Sequence, residues 1–274
     1  MGLDINTKIK LNNDIELPYL GLGTYNIRRQ KDVDLAIHSA FEIGYRLIDT
    51  AAAYYNESEI GKAIKSSSVP RKEIFITTKL DNSDHGYQKT LKAFDESLKK
   101  LNCDYIDLYL IHWPERKRNE SWKAMEELLK EDKCRAIGVC NFTAHHLEEL
   151  RENSSVIPAV NQIEFNPFVF QKEILDYCNS NNIMVEAYTP IARNHKCDHP
   201  IIKDVSGKYK KTPAQVMLRW VIQHKAIVIP KSVNPDRIKE NSEIFDFNIN
   251  EQDMSELNSL NEDYRLSPDP YSYQ

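Results

Sequence analysis

The chain has 274 residues, 41% of them hydrophobic and 28% charged, with a net charge of −5, a balance ordinary for a soluble globular protein. It carries no basic footprint for nucleic acid or an anionic membrane surface, and no apolar run reaches the ~18 residues that a membrane span needs. Five cysteines (Cys103, Cys134, Cys140, Cys178, Cys197) are odd in number and lack CxxC spacing, which argues against a disulfide framework or zinc site and for reduced thiols in the cytoplasm.

In chain order, the first ten residues lack a signal-peptide core. Residues 8–11 and 15–17 flank the turn Asn12-Asn13-Asp14 and predict a short hairpin. Apolar, β-branched runs then recur at 19–24, 47–51, 74–80, 106–112, 136–141, 159–164, 184–189 and 227–231, each read as a buried parallel strand. Helical spacing fills the intervals, as in Val33, Ala36, Ile37, Ala40 and Phe41, or Leu91, Phe94, Leu98 and Leu101. Thr212-Pro213-Ala214-Gln215 has the form of a capping box with proline at the first helical position, and Asn234-Pro235 opens another helix directly after the last strand. A further helix is expected near 251–260, followed by a tail with three tyrosines and two prolines that either dangles or folds over the barrel mouth. Eight strands alternating with helices predict an α/β fold: a (β/α)8 barrel over 1–274 as one domain, with an N-terminal hairpin and an additional C-terminal helix. Gly21-Leu22-Gly23 is not a dinucleotide fingerprint, because Asn26 stands where a third glycine belongs; it is read as a tight strand-end turn.

Four polar residues stand at or just beyond strand ends: Asp49, Tyr54, Lys79 and His112. Side chains at the carboxyl ends of neighbouring parallel strands converge on one crevice. A free phenol, with a pKa of ~10, is a poor acid at neutral pH. An ammonium beside it favours the phenolate, and a buried ammonium needs an anion, so Asp49, Lys79 and Tyr54 form a relay that tunes Tyr54 as a general acid. His112 is placed to hold a carbonyl oxygen by hydrogen bond. Taken singly, each has a plainer account: charged residues beside strands are mostly solvated, a tyrosine beside Tyr55 packs, and a lone histidine is a satisfied core residue.

The stretches GLGTY (21–25), RLIDTAAAYYNE (46–57), IFITTKL (74–80), DLYLIHWP (107–114), AIGVCNF (136–142), VNQIEFNP (160–167), EAYTP (186–190) and IPKSVNPDRIKEN (229–241) together resemble the aldo-keto reductase family, in order and over nearly the whole chain. The compact length is similar to microbial members such as the diketogluconate reductases. The resemblance implies NADPH-dependent reduction of aldehydes or ketones without a metal, with Asp49, Tyr54, Lys79 and His112 as the catalytic tetrad. It also implies cofactor contacts from Gly23, Thr24, Asp49, Cys140, Asn141, Gln162, Tyr188, Lys231, Ser232, Val233, Arg237, Glu240 and Asn241. Of these, Asn141 and Gln162 match the residues that bond the carboxamide, and Tyr188 the ring that stacks on the nicotinamide. Tyr25, Tyr54, His112 and Trp113 are the implied substrate contacts, with Arg193, His195 and the tail tyrosines as weaker ones.

At the last strand the residues speak for themselves. Lys231 and Arg237 are cations near the start of the helix opened by Asn234-Pro235, where they oppose the helix dipole at up to ~1 kcal/mol each unless an anion sits there. That conflict fits a phosphate and, with the resemblance, preference for NADPH over NADH. Departures from the family pattern are Cys140 for a usual serine, Tyr25 for a commoner tryptophan, Ile191-Ala192-Arg193 after Tyr-x-Pro, and Asp132 where a helix-ending glycine is frequent; none touches the tetrad. The expected partner is a small carbonyl substrate, with no nucleic acid, no membrane and a monomeric chain. Two other readings stand beside this one: a non-catalytic nucleotide-sensing subunit, and a metal-free hydrolase or isomerase using paired carboxylates, for which Asp49 shows no obvious acidic partner at the other strand ends.

Overall fold

The computed structural model describes residues 2–273. It opens with an antiparallel hairpin of β1 (Lys8–Lys10) and β2 (Glu16–Pro18), in which Ile9 faces Leu17. Eight parallel strands follow in sequence order: β3 (Gly21–Gly23), β4 (Leu47–Asp49), β5 (Phe75–Leu80), β6 (Ile106–Ile111), β7 (Cys134–Cys140), β8 (Val160–Glu164), β9 (Met184–Tyr188) and β10 (Ile227–Val228). Parallel bridges Leu20–Val228 and Gly23–Lys231 bring the first strand against the last and close the sheet into a barrel. Every predicted strand is present. The first, second and last are shorter than expected, at 21–23, 47–49 and 227–228, and past Val228 the chain keeps only the single bridge at Lys231.

Two hydrophobic layers hold this arrangement. Leu47, Leu108, Leu110, Val160 and Ile227 fill the barrel interior, where Leu11 and Leu17 of the hairpin join them as a floor. Outside, the strands' other faces pack on a ring of helices: α1 (Gln30–Ile43), α2 (Glu57–Ser66), α3 (Tyr87–Leu101), α4 (Arg118–Lys130), α5 (Ala144–Asn153), α6 (Lys172–Ser180), α7 (Pro200–Tyr209), α8 (Pro213–Gln223) and α9 (Pro235–Ser242). The alternation along each strand separates the layers, so Leu108 and Leu110 point in while Tyr109 and Ile111 point out. The stripe Val33, Ala36, Ile37, Ala40, Phe41 is buried as its spacing requires. At α8, Thr212 Oγ1 accepts from Gln215 N at 3.2 Å and Gln215 Oε1 accepts from Thr212 N at 3.0 Å, closing the capping box. Asn234 caps α9 by accepting from Arg237 N at 3.1 Å. Asp132 takes the left-handed conformation at φ 56° after α4. Helix α10 (Glu251–Asn258) lies where a final helix is expected, and α7 is an addition without a predicted counterpart. Among the described residues no helix is long and apolar enough to cross a membrane.

One local expectation is corrected. Gly21 and Gly23 form no turn but lie in β3, and the absence of side chains there serves closure. A Cβ at Gly21 would come within 2.5 Å of Leu47 Cγ, and one at Gly23 within 2.7 Å of Ile229 O. The tail folds rather than dangles: Leu266 N and Ser267 N donate to the buried Glu164 carboxylate at 2.9 and 3.2 Å, and Tyr273 stacks on Trp113 at 5.1 Å between ring centroids.

Candidate active site at the carboxyl end of the barrel

Asp49 ends β4, and the chain then makes a 3-10 turn over Ala52–Tyr54, leaving Tyr55 left-handed at φ 56°. That turn is pinned by the fully buried Asn56, whose Nδ2 donates to Thr24 O at 2.9 Å and Ile27 O at 2.8 Å while Thr50 Oγ1 donates to its Oδ1 at 2.7 Å. Nothing in the sequence around Asn56 marks it as a site residue; its role is to hold the loop that carries Tyr54. Lys79 projects from β5 and is fully buried. Its ammonium spends three hydrogen bonds on Asp49 Oδ1 and Oδ2, both at 2.7 Å, and on Thr50 O at 2.8 Å. The same Nζ lies 5.1 Å from the centre of the Tyr54 ring, and His112 approaches that ring edge-on at 5.7 Å. The four residues that the strand-end pattern singles out therefore meet in space.

Burial pulls the Lys79 ammonium towards neutrality, but Asp49 and Tyr54 outweigh it and hold the group above its usual value. His112 is driven down to about 3, first by burial and then by the Lys79 charge. Its imidazole is neutral at any working pH, able to bond an oxygen but not to act as a cationic acid. The expected tuning of Tyr54 needs correction in sign: burial raises the phenol, and the lowering pull of Lys79 only offsets part of that. In the free protein Tyr54 is a firmly protonated donor whose proton leaves only when an acceptor nearby develops negative charge.

Around this cluster lie the other expected contacts. Thr24 is buried, with Oγ1 donating to Asp49 O at 2.8 Å, and Gly23 bridges to Lys231. Cys140, Gln162 and Glu186 lie side by side in the register of β7, β8 and β9. Cys140 is buried, and burial pushes its thiol well above the ordinary value, which keeps it protonated and unreactive. Asn141, left-handed at φ 61°, donates from Nδ2 to His112 O at 3.1 Å and accepts from Tyr188 Oη at 2.8 Å. Gln162 Nε2 donates to Asp49 Oδ2 at 2.8 Å and to Glu186 Oε2 at 2.7 Å. Glu186 is thus the acidic neighbour of Asp49 that the sequence reading lacked. Its only signal was a glutamate inside the apolar strand 184–188, two residues from Tyr188 and so on the same face.

Tyr25 is 55% exposed and packs edge-on against Tyr54 at 5.1 Å, and Arg193 sits 6.0 Å above the Tyr25 ring. Trp113 meets the tail rather than Tyr54, through its stack with Tyr273. His195 pairs with Tyr264, its Nδ1 at 3.2 Å from the phenol oxygen. At the other side of the mouth Lys231, Val233 and Arg237 are exposed, Ser232 and Asn241 buried, and Glu240 accepts from Thr212 Oγ1 at 2.6 Å. Neither Lys231 nor Arg237 has an acidic partner among the described residues. No group of three or more metal-ligating side chains occurs among the described residues.

Comparison with known proteins agrees with this geometry. Residues 19–262 match the model of the Aldo/keto reductase family. The glyoxal reductase of Bacillus subtilis (strain 168) is 45% identical over 271 residues, covering 98% of each chain. The crystal structure of MGS-M4, an aldo-keto reductase from a Medee basin deep-sea metagenome library, superposes with a TM-score of 0.93 at 44% identity, covering 98% of this chain and 100% of that one. The Bombyx mori aldo-keto reductase, solved in complex with NADP, gives a TM-score of 0.91 at 35% identity over 99% and 98% of the two chains. This chain is an enzyme of the aldo/keto reductase family.

Proposed function

We propose that this enzyme reduces aldehydes or ketones to alcohols with NADPH, and that Tyr54 is the general acid. The observation that carries the reading is the buried Lys79–Asp49 ion pair, with Lys79 Nζ 5.1 Å from the centre of the Tyr54 ring and neutral His112 edge-on to the same ring. The residues present fit the cofactor. Gln162 Oε1 takes no hydrogen bond among the described residues, and Asn141 retains one unspent N–H. Lys231 and Arg237 stand without acidic partners near the capped start of α9, where a phosphate would resolve their conflict with the helix dipole. Asn141, Gln162 and Tyr188 would hold the nicotinamide end, with Gly23, Thr24, Asp49 and Cys140 around it. Lys231, Ser232, Val233, Arg237, Glu240 and Asn241 would hold the adenosine end.

Bound there, NADPH supplies the hydride that reaches the carbonyl carbon. The chain's own part is to receive the oxygen. His112, uncharged, and the Tyr54 hydroxyl both address it. As negative charge develops on that oxygen, Tyr54 gives up its proton, and the phenolate left behind is stabilised by the Lys79 ammonium held in place by Asp49. Tyr25, His112 and Trp113 form the surroundings of the substrate. The reading also takes the chain as one domain and a cytoplasmic monomer with five free thiols. Glyoxal, the substrate in the name of the B. subtilis relative, makes small α-oxo aldehydes the first substrates to try.

Tyr54→Phe removes the proton and little else. Turnover should fall ~10²–10⁴-fold while the dissociation constant for NADPH, read by fluorescence quenching, stays within about twofold of wild type. Retained turnover would exclude Tyr54 as the donor. Arg237→Ala should reduce the preference for NADPH over NADH, measured as a ratio of kcat/KM, by about tenfold, a charge-assisted contact of ~1.5–3 kcal/mol being lost in part. An unchanged ratio would move the phosphate site elsewhere.

A further inference from the structure

Glu186 is a buried acid for which the proposed mechanism has no step. It is fully buried in β9 and lies opposite Gln162 of β8. Its Oε2 accepts from Gln162 Nε2 at 2.7 Å, while its Oε1 is buried without a partner. The second N–H of the same amide goes to Asp49 Oδ2 at 2.8 Å, and that carboxylate also takes two bonds from Lys79. Both donors of Gln162 are therefore spent on acids. Turning the amide over would set its oxygen against the Asp49 carboxylate, which can only accept. Two acids thus fix one orientation, in which Gln162 presents an acceptor and nothing else. Next to it, Asn141 gives one N–H to His112 O at 3.1 Å and accepts from Tyr188 Oη at 2.8 Å, which holds its amide in one orientation with its second N–H left as a donor.

One fixed acceptor beside one fixed donor is the complement of a primary carboxamide held in a single orientation. We propose that Glu186 is a positioning residue that locks the Gln162 amide so that it accepts from the carboxamide NH2 of the nicotinamide, and thereby sets which face of the ring meets the substrate. The inference rests on the cofactor site proposed above and adds a residue to it. A second line supports it. Of the two acids sharing Gln162, Asp49 has the cation and Glu186 has none, and burial with the Asp49 charge raises the Glu186 carboxyl to about 8. A proton on the unpartnered Oε1 leaves Oε2 as the acceptor that Gln162 needs, so the lock holds in the neutral state of the acid.

The test uses the analogue of NADPH in which acetyl replaces the carboxamide, keeping the carbonyl and losing the NH2. Wild type should favour NADPH over the analogue by about tenfold or more in kcat/KM, because the locked Gln162 oxygen would face a methyl group. In Glu186→Met the amide keeps only its bond to Asp49 and can pivot about it, and the preference should fall below about threefold, with loss of strict transfer from one face in NADPH deuterated at either C4 position. Glu186→Gln, which keeps an acceptor at the same reach, should restore both. A folded Glu186→Met with the wild-type ratio and strict face selection overturns the proposal. A crystal structure of wild type with NADP+ decides independently of any variant. Gln162 Nε2 should remain on Glu186 with Oε1 on the carboxamide nitrogen, and a Gln162 that has left Glu186 overturns the proposal. A wild type that binds no NADPH at all instead overturns the cofactor reading itself.

Discussion

The two ends of the barrel treat buried acids in opposite ways. At the floor, Asp107 of β6 is fully buried, and its oxygens accept from Arg71 Nη2 at 2.7 Å, Ile76 N at 3.0 Å and Arg135 Nη1 at 2.9 Å. Its cations reach it from the edge, where Arg71 and Arg135 keep 24% and 42% of their side chains exposed. At the mouth, Asp49 is paired with a lysine that has no exposure. Beside that pair Glu186 Oε1 is buried without a partner among the described residues. Natural proteins satisfy nearly all buried polar groups. Asp107 at the floor has both oxygens paired, whereas Glu186 at the mouth keeps one unpartnered, which separates an acid that holds the fold from one at the end with room for a ligand.

The largest effect expected on either side comes from Lys79→Met. It strands the buried Asp49 carboxylate, and loss of one partner from a buried ion pair costs ~3–5 kcal/mol. Urea denaturation should show that loss, and turnover should fall by at least about 10³-fold because the Tyr54 phenolate loses its counter-charge. The double variant Asp49→Asn/Lys79→Met should regain most of the stability and none of the turnover. Recovery of turnover in the double variant would break the contrast, since the pair would then be a packing device like that of the floor.

The floor gives the complementary result at smaller size. In Asp107→Asn, Arg135 turns outward to solvent while Arg71 stays on Ile74 O and Tyr105 O, so only the charge-assisted hydrogen bonds are lost, ~1–3 kcal/mol. Turnover and KM should stay within about twofold of wild type. A tenfold fall in kcat without a fall in stability would mean that the two ends are coupled.

How much of this was legible in the chain follows from the same division. Asp49, Lys79 and His112 could be found because each interrupts an apolar β-branched run at its end, and topology alone carries strand ends to one crevice. The capping box at Thr212 is local chemistry and appears as its four residues specify. Gly21 and Gly23 misread as a turn because the contacts that exclude a side chain come from Leu47 and Ile229, far off in the chain. Glu186 was invisible as a site residue for a similar reason: what distinguishes it is the bond to Gln162 and the nearness of Asp49, neither of which alternation reveals. The sign of the Tyr54 shift was misjudged because proximity of Lys79 follows from topology, whereas depth of burial is a property of the finished packing.

The smallest effect is also the most direct measure of the unpartnered acid at the mouth, since it reads protons on incompletely paired groups. Glu186 is raised from 4.5 to about 8, so the fold keeps a proton that the unfolded chain releases above about pH 4.5. Its contribution to stability is complete below the unfolded pKa and is lost as pH rises towards about 8; the raised Asp49 and Glu164 act in the same direction. His112 and His85 are lowered from 6.5 to about 3 and about 4, so the unfolded chain takes up protons first as pH falls. Their contribution is complete above pH 6.5 and is lost on acidification, and the lowered His146 and His224 add to it. Each group changes stability by at most ~1.4 kcal/mol per pH unit within its window. Stability should therefore peak near pH 6.5 and decline towards pH 8. Glu186→Gln cannot titrate, and its urea midpoint should decline less over pH 6.5–8 while keeping the acid limb set by the histidines. Identical alkaline limbs in the two proteins would place the Glu186 proton outside the folding equilibrium, and the contrast between Glu186 and Asp107 would then not extend to protons.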